Sequence, residues 1–159
     1  MDLICIDMDN TLIDSDKAHI LSYNKAFENN NLKKVSSKVI TKYFGLVGFE
    51  IIKKLFPKLD NKETLKVLGD SHSFFVNDTI KYLKPFKNIK KTLIILKAEK
   101  IMDKKAIYVI GDSIYDIRAG KKAKIMTIGV LTGNHTKEQL KKEKADFIFK
   151  NFNEILRIL

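Results

Sequence analysis

Apolar and polar positions follow two rhythms along the chain. Residues Leu3 to Asp7 form a short apolar run ending in acid, the pattern of a buried strand whose polar group sits at its carboxyl end. From Asp14 to Leu83 the spacing turns helical. Ala18, Leu21, Lys25, Ala26 and Phe27 form one stripe, Val39, Ile40, Tyr43 and Phe44 a second, and Ile51, Ile52, Leu55 and Phe56 a third. Asp60 and Glu63 read as a capping pair ahead of a longer helix striped by Leu65, Leu68, Phe75, Thr79, Ile80 and Leu83. Gly45, Gly48 and Pro57 punctuate the junctions. The result is an all-helical insert over residues 14–83, small for an independent domain, between two parts of a core at 1–13 and 84–159.

Beyond Pro85 helix and strand alternate. The spacing of Ile89, Leu93, Leu96 and Ile101 predicts one helix over roughly Asn88 to Met102, followed by a β-rich run from Ala106 to Ile110 that closes in Gly111-Asp112. A helix from about Asp116 to Ala123, a strand from Met126 to Leu131 and a loop at Thr132-Gly133-Asn134 come next. A helix to Glu143, a strand from Asp146 to Phe149 and a terminal helix to Leu159 complete the chain. This βαβ rhythm calls for a parallel sheet covered by helices, an α/β fold.

With 159 residues and 45% hydrophobic content, the chain can bury one substantial core and a small satellite domain. Its longest apolar runs fall far short of the roughly 20 residues that cross a bilayer, so no membrane span is expected. The first residues lack the pattern of a secretory signal, and the chain reads as cytoplasmic. The single cysteine, Cys5, lies in an apolar run and reads as a small buried hydrophobe. The net charge of +11 raises the question of nucleic acid. Against it, only Arg118 and Arg157 among the 30 basic residues are arginine, and the lysines are scattered in pairs. A basic surface of this kind suits small phosphorylated molecules better.

The acids carry the chemistry. Two predicted strands end in carboxylates, and in an open α/β sheet the carboxyl ends of strands are where ligands bind. Asp7 and Asp112 would therefore meet at one crevice together with Asp9 and Asp116. Carboxylates gathered without arginines repel one another, and a hard divalent cation, best Mg2+, relieves the repulsion. An aspartate beside such a cation can attack phosphorus, which makes Asp7 the candidate nucleophile. Asp9 lies on the same side of the extended chain and is the candidate acid and base. The backbone N–H groups of Asn10 and Thr11 would cradle phosphoryl oxygens, and Asn tolerates the left-handed turn this needs.

Asp7-Met8-Asp9-Asn10-Thr11-Leu12 resembles the first signature of the haloacid dehalogenase superfamily, D-x-D-G-T-L/V, with Asn10 in place of glycine. Gly111-Asp112-Ser113-Ile114-Tyr115-Asp116 resembles its fourth, G-D-x-x-x-D. The segments Ile117 to Gly120 and Thr127 to Val130 are similar to phosphoglycolate-phosphatase-like members, and residues 14–83 to their helical cap. The resemblance implies a Rossmann-like parallel core with a cap inserted after the first strand, and a magnesium-dependent phosphatase acting on a small phosphomonoester. It implies nucleophile Asp7, acid/base Asp9, and Mg2+ held by Asp7, the main-chain carbonyl of Asp9 and Asp112, with Asp116 in support. Ser113 stands between a phosphate contact and a turn role.

The pattern departs from the family between cap and fourth signature. Residues 83 to 106 leave room for one helix, with no strand ending in Ser or Thr; Thr92 falls inside the helical pattern, and Leu96-Lys97-Ala98-Glu99 resembles the helix just before that signature. The core sheet is then expected to be short. Without the usual hydroxyl and lysine, transition-state stabilisation would fall unless Lys84, Lys90 or Lys91 replaces the lysine. A catalytically weak remnant acting as a binding module is accordingly the alternative reading. The first strand would also become a free edge, open to a homodimer. His19, His72 and His135 read as isolated surface or cap residues, and Phe74 and Phe75 as core. Gly45-Leu46-Val47-Gly48 is either a substrate-facing loop or a pair of helix breakers.

Overall fold

The computed structural model describes residues 3–98 and 107–158. The chain divides into two compact units, one of Met1–Asp14 with Pro85–Leu159 and one of Ser15–Lys84. The elements run β1 (Leu3–Ile6), β2 (Ile13–Asp14), α1 (Asp16–Asn29), α2 (Ser37–Ile40), α3 (Gly48–Leu55), α4 (Asn61–Phe74) and β3 (Lys84–Pro85). They continue with α5 (Ile89–Ala98), β4 (Ile107–Gly111), α6 (Ile114–Ala123), β5 (Met126–Val130), α7 (Lys137–Lys142), β6 (Phe147–Phe149) and a 3-10 helix at Phe152–Arg157.

In the first unit the sheet is parallel throughout, in the order β1-β4-β5-β6. Its alternation sends Ile110, Ile128 and Val130 to one face, where they are fully buried against Phe152 and Ile155 of the 3-10 helix and beside Ile89 of α5. Ile4, Ile6 and Tyr108 extend that cluster. Each such aliphatic side chain removed from water contributes about 1.5 to 3 kcal/mol. The opposite face of β4 and β5 takes α6 and α7, with Gly120 close over Val109 and Thr127 and Leu140 close over Gly129.

Cys5 corrects its sequence reading: it is exposed. The expectation assumed a strand covered on both faces, as central parallel strands are. Among the described residues β1 pairs only with β4, at the end of the sheet. Leu3 and Cys5 alternate away from Ile4 and Ile6, and Leu3 and its register partner Ile107 are likewise exposed.

The helical unit is built around α1, which buries Ala18, Tyr23, Ala26 and Phe27 with Ile40, Ile51, Ile52 and Val67. The Asp60–Glu63 capping pair is present in full: Glu63 N–H donates to the Asp60 carboxylate and Asp60 N–H to the Glu63 carboxylate, both at 2.8 Å. The stripe of the helix it starts is shifted, however. Thr64, Val67 and Ser71 face inward, and Leu65 is 58% exposed. Small polar residues can line this seam because their hydroxyls are satisfied internally. Thr64 Oγ1 donates to the Asp60 carbonyl at 2.6 Å, and Ser71 and Ser22 share a bond at 3.4 Å. The α-helix also stops at Phe74, passing into a π turn over Phe75–Thr79 and a 3-10 turn over Ile80–Tyr82. Phe74 and Phe75 are half-buried, and Ile80 is exposed.

Three further boundaries move. Ser113 caps α6, so that helix begins at Ile114 and Asp116 is its third residue. Asn88, at φ 65°, turns the chain before α5 starts at Ile89. The terminal segment forms a 3-10 helix, opened by the Asn151 side chain accepting from Asn153 N–H at 3.1 Å. The expected contributions of Glu99, Ile101, Met102, Ala106 and Leu159 fall outside the described residues.

Replacing Asp60 by Ala removes one side of the capping box and is expected to destabilise the protein by about 1 kcal/mol. A lowered urea midpoint with unchanged slope checks this.

Candidate active site

The parallel register of β1 and β4 brings the acids together. Ile6 lies opposite Ile110, and the next N–H, that of Asp7, donates to the Ile110 carbonyl at 2.9 Å. Asp7 therefore leaves β1 level with the end of β4, one residue short of Asp112. One carboxylate oxygen each of Asp7, Asp112 and Asp116 falls within 4.8 Å of the other two.

Each acid is held from behind. The buried Thr11 hydroxyl donates to Asp7 Oδ2 at 3.1 Å. Asp116 Oδ2 accepts from both Ser113 N–H at 3.0 Å and Ser113 Oγ at 2.6 Å, while Asp116 N–H donates back to Ser113 Oγ at 3.3 Å. Asp116 thus serves the helix cap and the acidic cluster together. Ser113, expected at phosphate or in a turn, has its N–H and hydroxyl engaged by Asp116. Asp112 is buried and accepts a backbone N–H from Asn134. Its carboxylate lies so close to Gly133 that a Cβ there would come within 1.6 Å of Oδ2, and a Cβ on Gly111 would come within 2.3 Å of the Asp116 carboxylate. Both glycines are needed for the acids to stand where they do.

Asp9 and Asn10 lie in the tight loop after Asp7. Leu12 and Ile13 N–H groups donate to the Met8 carbonyl at 3.0 and 3.1 Å, and Asn10 N–H to the Ile13 carbonyl at 2.7 Å. Asn10 is buried at φ 55°, so it takes the left-handed conformation expected of it. The Asp9 carboxylate stands outside the three-acid cluster but is near enough to push the Asp7 pKa upward.

The electrostatics fit a missing positive charge. Burial first, and then the Asp116 charge, push Asp7 up to about 6 and Asp112 up to about 7. Among the described residues no cation dominates either shift. Lys84, Lys90 and Lys91 are all exposed, and Thr92 is spent on a 2.6 Å bond to Asn153 Oδ1. Three oxygen donors, two of them reluctant to ionise without a counter-charge, form a donor set suited to a hard divalent cation.

The loop after β5 also reaches this end of the sheet. The Thr132 hydroxyl donates to the Asn10 carbonyl, and Gly133 and Asn134 lie against Asp112. His135, read as isolated, is half-buried with its ring edge-on to Tyr115 at 6.0 Å between centroids. Its Nδ1 is buried without a hydrogen bond, and burial lowers its pKa against the opposing pull of Asp116. His19 instead stacks on Phe75 in the helical unit, at 4.6 Å, and His72 is exposed. The signal for the 132–135 loop was present in the sequence: it follows a strand whose carboxyl end lies on the ligand side of the sheet.

The sequence profile of haloacid dehalogenase-like hydrolases matches residues 4–102, and a second, HAD-hydrolase-like profile matches residues 67–155. The chain belongs to the haloacid dehalogenase-like hydrolase family. Solved structures share its fold at low identity. A haloacid dehalogenase-like hydrolase from Bacteroides fragilis superposes with TM-score 0.86 at 14% identity, over 96% of this chain and 98% of that one. A predicted phosphatase from Clostridium acetobutylicum gives 0.85 at 15%, over 99% and 97%. A predicted phosphoglycolate phosphatase from Haemophilus somnus gives 0.80 at 20%, over 98% and 96%. No curated protein matches the chain. Among the described residues no helix is long and apolar enough to cross a membrane.

The raised carboxylates set a pH dependence. Groups that hold their protons more tightly when folded favour the folded state fully below the unfolded value of 3.8, and that contribution is lost as pH rises through about 6 and 7. Without divalent cation, Asp112→Asn is therefore expected to melt above wild type at pH 8, with the gap closing towards pH 5. Thermal melts at the two pH values check this; a gap that does not change with pH would contradict it.

Proposed function

We propose that this hydrolase is a magnesium-dependent phosphatase that cleaves a small phosphomonoester through an aspartyl-phosphate on Asp7. The observation that carries the reading is the convergence of Asp7, Asp112 and Asp116 at the adjoining ends of β1 and β4.

The Asp7 carboxylate attacks phosphorus, and the ester P–O bond breaks as the departing alkoxide takes a proton from Asp9. Water then attacks the phosphorus of the aspartyl-phosphate, giving its proton to Asp9; inorganic phosphate leaves and the Asp7 carboxylate is restored. Thr11 Oγ1 holds Asp7 while it attacks, and the Thr11 amide receives a phosphoryl oxygen; the Asn10 amide, expected from the sequence to do the same, is committed to the Ile13 carbonyl and shapes the turn instead. Ser113 fixes Asp116, which supports the metal site. Asp7, Asp112 and the main-chain carbonyl of Asp9 would hold Mg2+, which would supply positive charge for the developing phosphoryl oxygens.

Residues 14–83 are assigned to the cap and 1–13 with 84–159 to the catalytic core. The net charge of +11 supports a small anionic metabolite as substrate. The Haemophilus somnus neighbour, a predicted phosphoglycolate phosphatase, points the same way. Because no cation among the described residues dominates the shifts of Asp7 and Asp112, turnover is expected to be slow for such a site. Among the described residues β1 is an end strand, which favours a second copy of this chain as its partner: an antiparallel pairing about a two-fold axis at Ile4 would set Leu3 of one copy against Cys5 of the other.

With a generic aryl phosphate and Mg2+, wild type is expected to exceed Asp7→Asn by at least about a hundredfold, the scale of losing a covalent nucleophile. Chelation should reduce wild type to the variant's rate. Equal rates in the two proteins would leave only the binding-module reading. Light scattering on concentrated protein should show a dimer; a monodisperse monomer would remove the β1 pairing.

A further inference from the structure

The first signature normally places glycine where this chain has Asn10, and Asn10 sits buried at φ 55°. A residue with a Cβ in that region is held there by its surroundings. One support is local, the 2.7 Å bond from Asn10 N–H to the Ile13 carbonyl. Another comes from 122 residues away in sequence, where the Thr132 hydroxyl donates to the Asn10 carbonyl.

That carbonyl is one end of a rigid peptide plane whose other end is the Thr11 N–H, and in a trans peptide the two point in opposite directions. Holding the carbonyl therefore aims the amide. The loop that carries Thr132 is itself fixed. Leu131 N–H donates to the Phe149 carbonyl of β6 at 3.0 Å, and Gly133 and Asn134 lie against Asp112. One short loop thus gauges the Asp7–Thr11 turn against the acid of the other strand.

We propose that Thr132 is a positioning residue for phosphoryl transfer, its hydroxyl holding the Asn10–Thr11 peptide so that the Thr11 amide meets the transferring phosphoryl group. This rests on the phosphatase reading. Thr132 lies outside both signatures, and its task follows from the left-handed asparagine.

The test compares wild type, Thr132→Val and Thr132→Ser by aryl phosphate kinetics with saturating Mg2+ and by the melting shift that inorganic phosphate produces. Thr132→Val keeps the shape without the donor, and its melting temperature without ligand is the folding control. It is expected to lose about ten- to a hundredfold in kcat, the scale of a small misplacement at a reacting centre, with KM changed far less. It should also lose most of the phosphate-induced shift. Thr132→Ser should stay within about twofold of wild type on both readouts, because it restores the donor. Wild-type behaviour in Thr132→Val, or an equal fall in Thr132→Ser, would overturn the proposal. If wild type binds phosphate in a Thr132-dependent way yet hydrolyses nothing, the phosphatase reading fails and the positioning role stands. If it does neither, both fall.

Discussion

Three carboxylates within 4.8 Å of one another are the constraint on which the first unit is organised. Left alone, such a group repels itself, and burial sharpens the repulsion by weakening the screening that water provides. The parallel pairing of β1 and β4 forces the approach, because the Asp7 N–H is already committed to the Ile110 carbonyl. The surrounding structure makes the approach sterically possible. Gly111 and Gly133 leave room for the carboxylates, Thr11 and Ser113 bond to two of them, and the Asn134 N–H bonds to the third. The basic residues are abundant in the chain, yet among the described residues none dominates the shifts of Asp7 or Asp112.

The parts of this arrangement that depend on local order were legible in the sequence. Asp7 to Thr11 and Gly111 to Asp116 announce acids at strand ends, and Asp60 with Glu63 announces a helix start, because capping and turn chemistry act over three or four residues. The parts that depend on packing were not. Leu65 outranks Thr64 in hydrophobicity, but Thr64 hides its hydroxyl on the Asp60 carbonyl and so takes the inward position. Cys5 has the neighbours of a buried residue, and its exposure follows from the place of β1 in the sheet. The place of the 132–135 loop after a strand marks it as ligand-side, but which of its residues matter, Thr132 and His135, depends on what the returning chain meets there.

Membership of the haloacid dehalogenase-like hydrolase family and the α/β core are settled by the profile matches and the sheet. The phosphatase chemistry rests on how the acids are disposed. An aspartate that attacks phosphorus needs a counter-charge at the transferring group, and a divalent cation on the acidic cluster would provide it. That dependence explains why the turn at Asn10 carries so many restraints in so short a loop. It also makes the aspartyl-phosphate the species on which the account stands.

Mass spectrometry of protein quenched in acid during turnover of an aryl phosphate with Mg2+ tests this most directly. A transient mass gain of one phosphoryl group is expected, located on the peptide that contains Asp7 and absent from Asp7→Asn. Hydrolysis that proceeds with no such adduct, or an adduct that persists in Asp7→Asn, would contradict it.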